Sequence, residues 1–433
     1  MADYGFLEEL KTRLRPPPEI RLAAEEALRQ LRAVVPHHIE VILGGSVAKN
    51  THTPDKKEAD IFLLFPDYYS LQEISILTFK YARQVFREYE VRYANHPYLT
   101  VKYKGINLDI VPAYQWTGKP KTPVDRTPLH VRFVREHLKP GQEDEVRLLK
   151  AFLKRFGIYG AEIRIEGFSG YLSELLIIWA GSFLELIHRA AEWEPPVHID
   201  LSGQGKVWDY FTVIDPVDPY RNVAAVVSRT SLWRFVAASR LFLRYPSERF
   251  FQRRALPQPP EDVFQRRGTF AIGLIFTPKA LAEDVLWGKL KSGGYEIKAG
   301  LEAAGFYVLG NYFWSDRRRA LLFFELANRW APGVRKHHGP EVWRTDAFWG
   351  FLKRHWDYQI HVEHERLVTT RFSEVRSPEE ILLNPPKKIR DIMDSEPAVL
   401  FNEAVVKAFP EVIADYLYED VLSPVRKNFP EVH

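Results

Sequence analysis

At 433 residues the chain is longer than one ordinary core serves, and roughly three domains are expected. A hydrophobic fraction of 46% with 14% aromatics can fill those cores, and a formal net charge of +4 permits a nucleic-acid partner without requiring one. The lack of cysteine excludes disulfides, thiol catalysis and thiolate metal sites, and without an apolar run of membrane-spanning length or a signal-peptide layout a cytoplasmic protein with no membrane partner is expected. In chain order, Pro16-Pro17-Pro18 ends a short N-terminal helix, and apolar periodicity predicts a second over residues 20–34. Residues 38–43 read as a strand running into Gly44-Gly45, and residues 59–65 as a buried strand stopped by Pro66. A long helix is predicted over 71–89 and a hairpin over 101–104 and 106–111, turning at Gly105. These elements make a small α/β domain.

From 127 to about 245 the pattern is helical, with Val146, Leu149, Leu153 and Phe156 on one face and Leu172, Leu175, Leu176, Trp179 and Phe183 on another. Gln258-Pro259-Pro260 is the clearest linker. A strand over 269–276, a helix to about 304 and strands over 307–314 and 319–326 follow, a β-α-β-β order of ferredoxin-like or RNA-recognition type. Aromatic-rich helices and one strand over 361–370 close the chain.

The chemistry concentrates in Gly44-Gly45-Ser46-Val47-Ala48-Lys49, followed by Glu58-Ala59-Asp60 entering an apolar strand. A strand running into Gly-Gly-Ser and a helical turn brings backbone N–H groups and a hydroxyl to a phosphate. Glu58 and Asp60, two apart, share one side of their strand. Acids at the edge of a core need compensation, and a hard divalent cation supplies it. Asp109 has the same setting in Ile106-Asn107-Leu108-Asp109-Ile110, and if the two strands are neighbours the three carboxylates converge. Alone, an acid-x-acid pair is a solvated strand end and a Gly-Gly-Ser a turn. Together they describe a two-metal site for phosphoryl or nucleotidyl transfer.

Gly-Ser followed by an acid-x-acid pair resembles the signature of the DNA polymerase β superfamily, and Glu in place of the first Asp resembles the archaeal-type, class I CCA-adding enzymes. Further segments are similar to that family: residues 93–98, Val124-Asp125-Arg126-Thr127-Pro128, residues 145–150 and 157–162, Gly167-Phe168-Ser169-Gly170-Tyr171, and Asp215-Pro216-Val217-Asp218 with Arg221-Asn222-Val223. The resemblance implies an α+β multidomain protein with a polymerase β-like nucleotidyltransferase head (1–140), a helical neck (141–257), and an RNA-recognition-like α/β body with a mixed tail (258–433). It implies Glu58, Asp60 and Asp109 as catalytic acids and ligands of two Mg²⁺ ions, Asp109 also activating the attacking hydroxyl. Ser46 and Lys49 would hold phosphate, with Lys49 standing where many relatives carry Arg; His130, Lys150 and Tyr159 would hold triphosphate and sugar; Arg221 would read the incoming base. Bland roles exist for these too: His130 at a helix start, Lys150 snorkelling, Tyr159 packed, Arg221 paired with Asp218.

The implied reaction is template-independent addition of C, C and A to tRNA from CTP and ATP, with contacts along the acceptor stem and TΨC arm; a homodimer is left open. A poly(A) polymerase or oligoadenylate synthetase-like enzyme would share head and neck, and a non-catalytic RNA-binding protein would share the scaffold. Basic clusters favour RNA: seven arginines at 240, 244, 249, 253, 254, 266 and 267, then Arg317-Arg318-Arg319 at a hairpin tip, Arg335-Lys336-His337-His338, and Lys353-Arg354-His355-Trp356. His361-Val362-Glu363-His364 lacks a zinc spacing.

Overall fold

A computed structural model describes residues 4–93, 97–252, 256–331, 333–372, 377–419 and 421–425. Ala94, Asn95, His96, Arg253 and Arg254, singled out above, lie outside the described residues, as does the side chain of Arg335. The chain forms two compact units, Met1–Arg254 with Asp420–His433, and Ala255–Glu419.

In the first unit, α1 (Phe6–Arg13) precedes α2 (Pro18–Val34), which starts on a proline and buries Ile20, Ala23, Ala24, Ala27 and Leu31 along one stripe. Strand β1 (Glu40–Gly44) runs into a single helical turn, α3 (Gly45–Ala48), and then β2 (Glu58–Phe65). Helix α4 (Leu71–Val85) opens with a capping box between Ser70 and Glu73. It ends four residues before the predicted Tyr89, because Tyr89–Tyr93 is strand β3, paired with β4 (Pro97–Tyr103). There β-forming residues with a ladder partner override the helical pattern. Lys104 and Gly105, both at positive φ (47° and 81°), turn β4 into β5 (Ile106–Tyr114). The sheet order is β1-β2-β5-β4-β3, with β2 and β5 parallel and the other pairs antiparallel.

Helices α5 (Thr127–His137), α6 (Gln142–Arg155), α7 (Gly170–Ala180) and α8 (Phe183–Ala191) follow. The region read as wholly helical also holds a small sheet: β6 (Val197–Ile199), the fully buried β7 (Phe211–Asp215) and β8 (Asp218–Asn222), before α9 (Arg229–Arg244). Phe152, Phe183, Phe235, Phe242 and Phe250 form the aromatic centre of this core.

The second unit contains α10 (Val263–Arg266), β9 (Phe270–Phe276), α11 (Glu283–Ala303), β10 (Val308–Ser315) and β11 (Ala320–Leu326), matching the predicted β-α-β-β order. Next come β12 (Val334–Glu341), α12 (Thr345–Arg354), β13 (Ile360–Glu363) and β14 (Arg366–Phe372). The single strand expected over 361–370 is therefore a hairpin, turned at His364 with φ 51°. The chain continues through α13 (Pro378–Leu382), α14 (Lys387–Arg390), β15 (Ala398–Phe401), α15 (Asn402–Ala408) and α16 (Pro410–Tyr418). Sheet β10-β11-β9-β15 is buried on both faces: Ile272, Leu274, Leu322 and Phe324 pack with α11, while Ala271, Leu321 and Phe323 pack with α15 and α16. No single helix among the described residues is long and apolar enough to cross a membrane.

Candidate active site

Strand β1 delivers Gly44 opposite Asp60 of β2. Gly45 has φ +61°, and a Cβ there would lie 1.9 Å from Oδ2 of Asp60. The turn thus needs glycine twice over, for its left-handed backbone and for its closeness to the carboxylate. Just beyond it, the buried Oγ of Ser46 has no hydrogen-bond partner. A buried hydroxyl is costly to leave unsatisfied, and this one is free for a partner from outside the protein.

The parallel pairing of β2 with β5 sets Asp60 directly beside Asp109, and Glu58 beside Asn107. Thr100 of β4 donates a 2.6 Å hydrogen bond to Asp109 Oδ1. Among the described residues no cation forms an ion pair with either aspartate. Burial pushes both carboxyls up; Glu58 adds to the rise at Asp60, while Asp60 and Glu58 add to it at Asp109. Of the three acids expected to converge, Asp60 and Asp109 are direct ladder neighbours, and Glu58 sits one pleat away, close enough to raise both. Glu58 lies exposed at the strand entrance, and no group of three His, Asp or Glu among the described residues is assembled to hold a metal ion. Two paired aspartates still fit divalent cations completed by substrate phosphates, because Mg²⁺ takes one or two carboxylates with phosphate oxygens. The glycine turn and the unpartnered Ser46 hydroxyl lie next to these acids.

Behind this turn, α6 grips residues 50–55 with one face. Arg147 donates to the His52 carbonyl (3.0 Å) and to Asn50, Lys150 to the Thr51 carbonyl (2.8 Å), and Lys154 to Thr53 and Asp55 (2.9 and 2.7 Å). The spacing 147, 150, 154 is that of one helical face. Lys150 does not snorkel, being 1% exposed. It shares with Lys49 the carboxylate of Glu174 on α7, which lies 2.5 Å from Lys49 Nζ and 3.8 Å from Lys150 Nζ, and accepts from Thr51 Oγ1 at 2.5 Å. Burial drives the Lys150 ammonium down to about 7 despite Glu174; burial also opposes the Glu174 charge, yet the two lysines hold its carboxyl below the usual range. Tyr159 belongs to the same corner, its hydroxyl 3.2 Å from where a Cβ on Gly170 would stand, with Lys150 Nζ 3.9 Å from that point.

A second buried acid, Asp215 at the end of β7, collects His130 Nε2 (2.9 Å), Arg221 (2.7 Å) and the Tyr171 hydroxyl (3.1 Å). His130 also stacks on Tyr171, with ring centroids 4.0 Å apart. Burial works against the Asp215 charge, but His130 and Arg221 keep its carboxyl low, while burial outweighs Asp215 in holding His130 below its usual value. Arg221 is therefore not the partner of Asp218, which pairs instead with Arg126 at 2.8 Å. The sequence reading missed Glu174 and Asp215 as organisers. The available signal was a lone acid inside the apolar stretch Tyr171-Leu172-Ser173-Glu174-Leu175-Leu176-Ile177.

Three protein-family models match the chain: a nucleotidyltransferase domain over residues 24–139, the second domain of tRNA nucleotidyltransferase over 144–252, and the C-terminal domain of the CCA-adding enzyme over 267–391. The chain is similar to the CCA-adding enzyme of Archaeoglobus fulgidus, 36% identical over 367 residues that cover 83% of each chain. It is 35% identical to that of Methanopyrus kandleri over 422 residues, 88% of this chain and 86% of the relative. The enzyme of Pyrobaculum neutrophilum is 36% identical over 358 residues, 79% of this chain and 84% of the relative.

Proposed function

Because the chain belongs to the archaeal-type CCA-adding enzymes, tRNA nucleotidyltransferases of the polymerase β superfamily, we propose how its own residues divide the reaction. The enzyme adds C, C and A to the 3′ end of tRNA without a template, from CTP and ATP, releasing pyrophosphate. The observation that carries the site assignment is the pairing of Asp60 with Asp109 beside a glycine turn whose Ser46 hydroxyl is buried and unpartnered.

In our reading Asp60 and Asp109, joined by Glu58, are the ligands of two Mg²⁺ ions, which would neutralise the triphosphate and lower the pKa of the attacking 3′-hydroxyl. Asp109, braced by Thr100, orients that hydroxyl. Ser46 and the N–H groups of the turn receive phosphate oxygens, and Lys49, Lys150, His130 and Tyr159 surround triphosphate and sugar. Arg221 is tethered to Asp215 through one guanidinium nitrogen, which leaves the rest of its fork for the base. Cytosine offers O2 and N3 and adenine N1 as acceptors, whereas uracil and guanine present an N–H at the matching ring nitrogen. A permanently protonated fork donates to the first pair and opposes the second.

We assign residues 1–140 to the catalytic head, 141–257 to the neck and 258–433 to a body and tail facing the acceptor stem and TΨC arm. Arg317 and Arg318 lead the binding of RNA phosphates, being exposed on the β10–β11 turn. Arg319 is otherwise engaged, its guanidinium 4.9 Å from the Phe409 ring centroid. Other members of the basic clusters are engaged too: Arg267 with Glu325, Arg266 with Asp262, Arg240 with the Ala191 carbonyl, Lys336 with Glu363. Replacing Arg317 and Arg318 by Ala lowers the salt slope of tRNA binding by about 0.9 for each phosphate that is no longer neutralised. An unchanged slope makes the turn a solvated loop.

The decisive experiment incubates the protein with tRNA lacking its CCA end and each NTP, then sequences the products. Two C and one A followed by a stop are expected; long A tails on arbitrary RNA would move the chain to the poly(A) polymerase reading.

A further inference from the structure

Lys49 and Lys150 face a single carboxylate, and the cations around them are already committed: Arg147 to Asp144 and Lys154 to Asp55. Lys49 makes the short contact to Glu174, while Lys150 stands farther off at 3.8 Å and is held by the Thr51 carbonyl. The side chains of Glu174, Lys150 and Lys49 are 0%, 2% and 7% exposed, so water does little to screen the attraction between them. An anion entering beside Lys49 competes with Glu174 for its ammonium, and the unpartnered Ser46 hydroxyl stands three residues earlier in the same turn. The partners of Glu174 are unequal in mobility. Thr51 Oγ1 at 2.5 Å and Lys150, anchored to the Thr51 carbonyl, are held by the backbone. Lys49 reaches Glu174 on a flexible four-carbon stem, beside the Tyr171 ring at 5.6 Å.

We propose that Glu174 is an internal counter-anion that holds Lys49 while the site is empty, yields it to the phosphates of the incoming nucleotide, and takes it back as pyrophosphate leaves. When Lys49 is drawn away, Glu174 keeps Lys150 and Thr51 and is not stranded. When pyrophosphate departs, Lys49 returns to a waiting carboxylate, so no uncompensated buried ammonium opposes release. An enzyme that performs three additions through one pocket must empty that pocket after each, and the exchange weakens pyrophosphate binding for that purpose. Glu174 is thus a positioning residue acting through Lys49. The inference rests on Lys49 being a phosphate ligand.

The test measures pyrophosphate and CTP binding by calorimetry, without tRNA, on the full chain carrying Glu174→Gln, Lys49→Met or both. Glutamine keeps the volume of Glu174 and removes its charge. Pyrophosphate and CTP should bind roughly tenfold more tightly to Glu174→Gln, about the value of one charge-assisted hydrogen bond released from competition. The steady-state kcat should fall together with KM. In the Lys49→Met background the same change should leave affinity unaltered. A merely structural ion pair would lose thermal stability without tightening either ligand. Affinity that is unchanged or weakened in Glu174→Gln overturns the exchange, whereas Lys49→Met without effect on nucleotide binding overturns the phosphate role of Lys49 beneath it. Should the glutamine variant not fold, ¹⁵Nζ-lysine spectra of the wild-type protein decide: the Lys49 signal must move on saturation with pyrophosphate, and a stationary signal sinks the proposal.

Discussion

Asp60 and Asp109 stand side by side on neighbouring strands with no cation in ion-pair reach among the described residues, whereas Glu174 and Asp215 each gather three side chains around one carboxylate. The two pairs shift in opposite senses. Burial, with Glu58 acting on both and Asp60 on Asp109, pushes the first pair up, while lysines, His130 and Arg221 overcome burial and hold the second pair down. The fold tolerates an unmatched charge where a ligand from outside must complete the site, and it completes the charge itself where side chains must be aimed. We propose that acids of the first kind carry the chemistry and that acids of the second kind are its framework.

The largest effect expected from this division is in the head. Asp109→Ala or Asp60→Ala should reduce single-turnover addition of both C and A by at least about a thousandfold, because each removes a ligand that nothing nearby replaces. tRNA affinity and the circular dichroism spectrum should stay as in wild type. Activity above about a tenth of wild type, a loss near 1.4 kcal/mol, would place these acids in the framework class.

In the neck the expected phenotype is misdirection. Asp215→Asn keeps the shape of the hub but removes the charge that fixes Arg221 and His130. Discrimination of C and A against U and G, measured as ratios of kcat/KM, should fall about 10- to 100-fold, the usual result of misplacing a recognition group by an ångström. Arg221→Ala should lose at least as much discrimination while still binding tRNA. Equal losses with all four nucleotides would mean that Asp215 serves only the stability of the fold.

The two kinds of acid differed in how far they were legible in the sequence. Asp60 and Asp109 could be read because each lies in an apolar strand that betrays it locally, and the register pairing them follows from two parallel neighbours. The partners of Glu174 and Asp215 were less legible: a lone acid in an apolar helix marks Glu174, but Lys49 and Thr51 lie 125 and 123 positions from it, and while Arg221 is six positions from Asp215, His130 lies 85 away. The missed elements share that cause. Strands β6 and β7 are short, three and five residues, and pair in parallel across an irregular loop, so no hairpin signal announces them, and β3 is a strand only because β4 lies beside it. The head's other strands and the β-α-β-β layer of the second unit were legible from alternation and apolar runs alone.

Thermal stability should sort the acids in the opposite order to activity. In metal-free protein Asp60→Asn should raise Tm at neutral pH by about 2–4 °C, and Asp215→Asn should lower it by a similar amount or more. The sign follows from linkage. A carboxyl raised in the folded state stabilises below its unfolded pKa, and that contribution is lost as pH climbs through the raised value. Asp60→Asn should therefore abolish part of the decline of Tm above acidic pH, and a divalent cation should raise Tm of the wild type more than that of the variant. A lower Tm for Asp60→Asn throughout would show that the head acids are compensated after all.

The smallest expected effect belongs to His52, which fits neither class. It is 2% exposed, both ring nitrogens lack partners, and its backbone carbonyl is held by Arg147. Burial first, then Arg147 and Lys150, drive its imidazole from 6.5 down to about 4, so it stays neutral in the folded protein and charges readily in the unfolded chain. Its contribution is present above the unfolded pKa and drains away as pH falls from about 6.5 toward 4, because the unfolded state binds the extra proton there. Glu174 and Asp215, held low, give up their stabilisation at more acidic pH, whereas His130, His355 and the raised Asp60 and Asp109 also titrate across this window, so the His52 share is read as a difference between two proteins. His52→Phe keeps a flat ring in the buried position and removes the titration, so the fall of Tm between pH 6.5 and 4 should flatten by a few degrees while the more acidic limb persists. If the wild-type and His52→Phe curves run parallel across that window, the histidine has found a hydrogen-bonding partner in solution and its neutrality is not what the segment between α3 and β2 depends on.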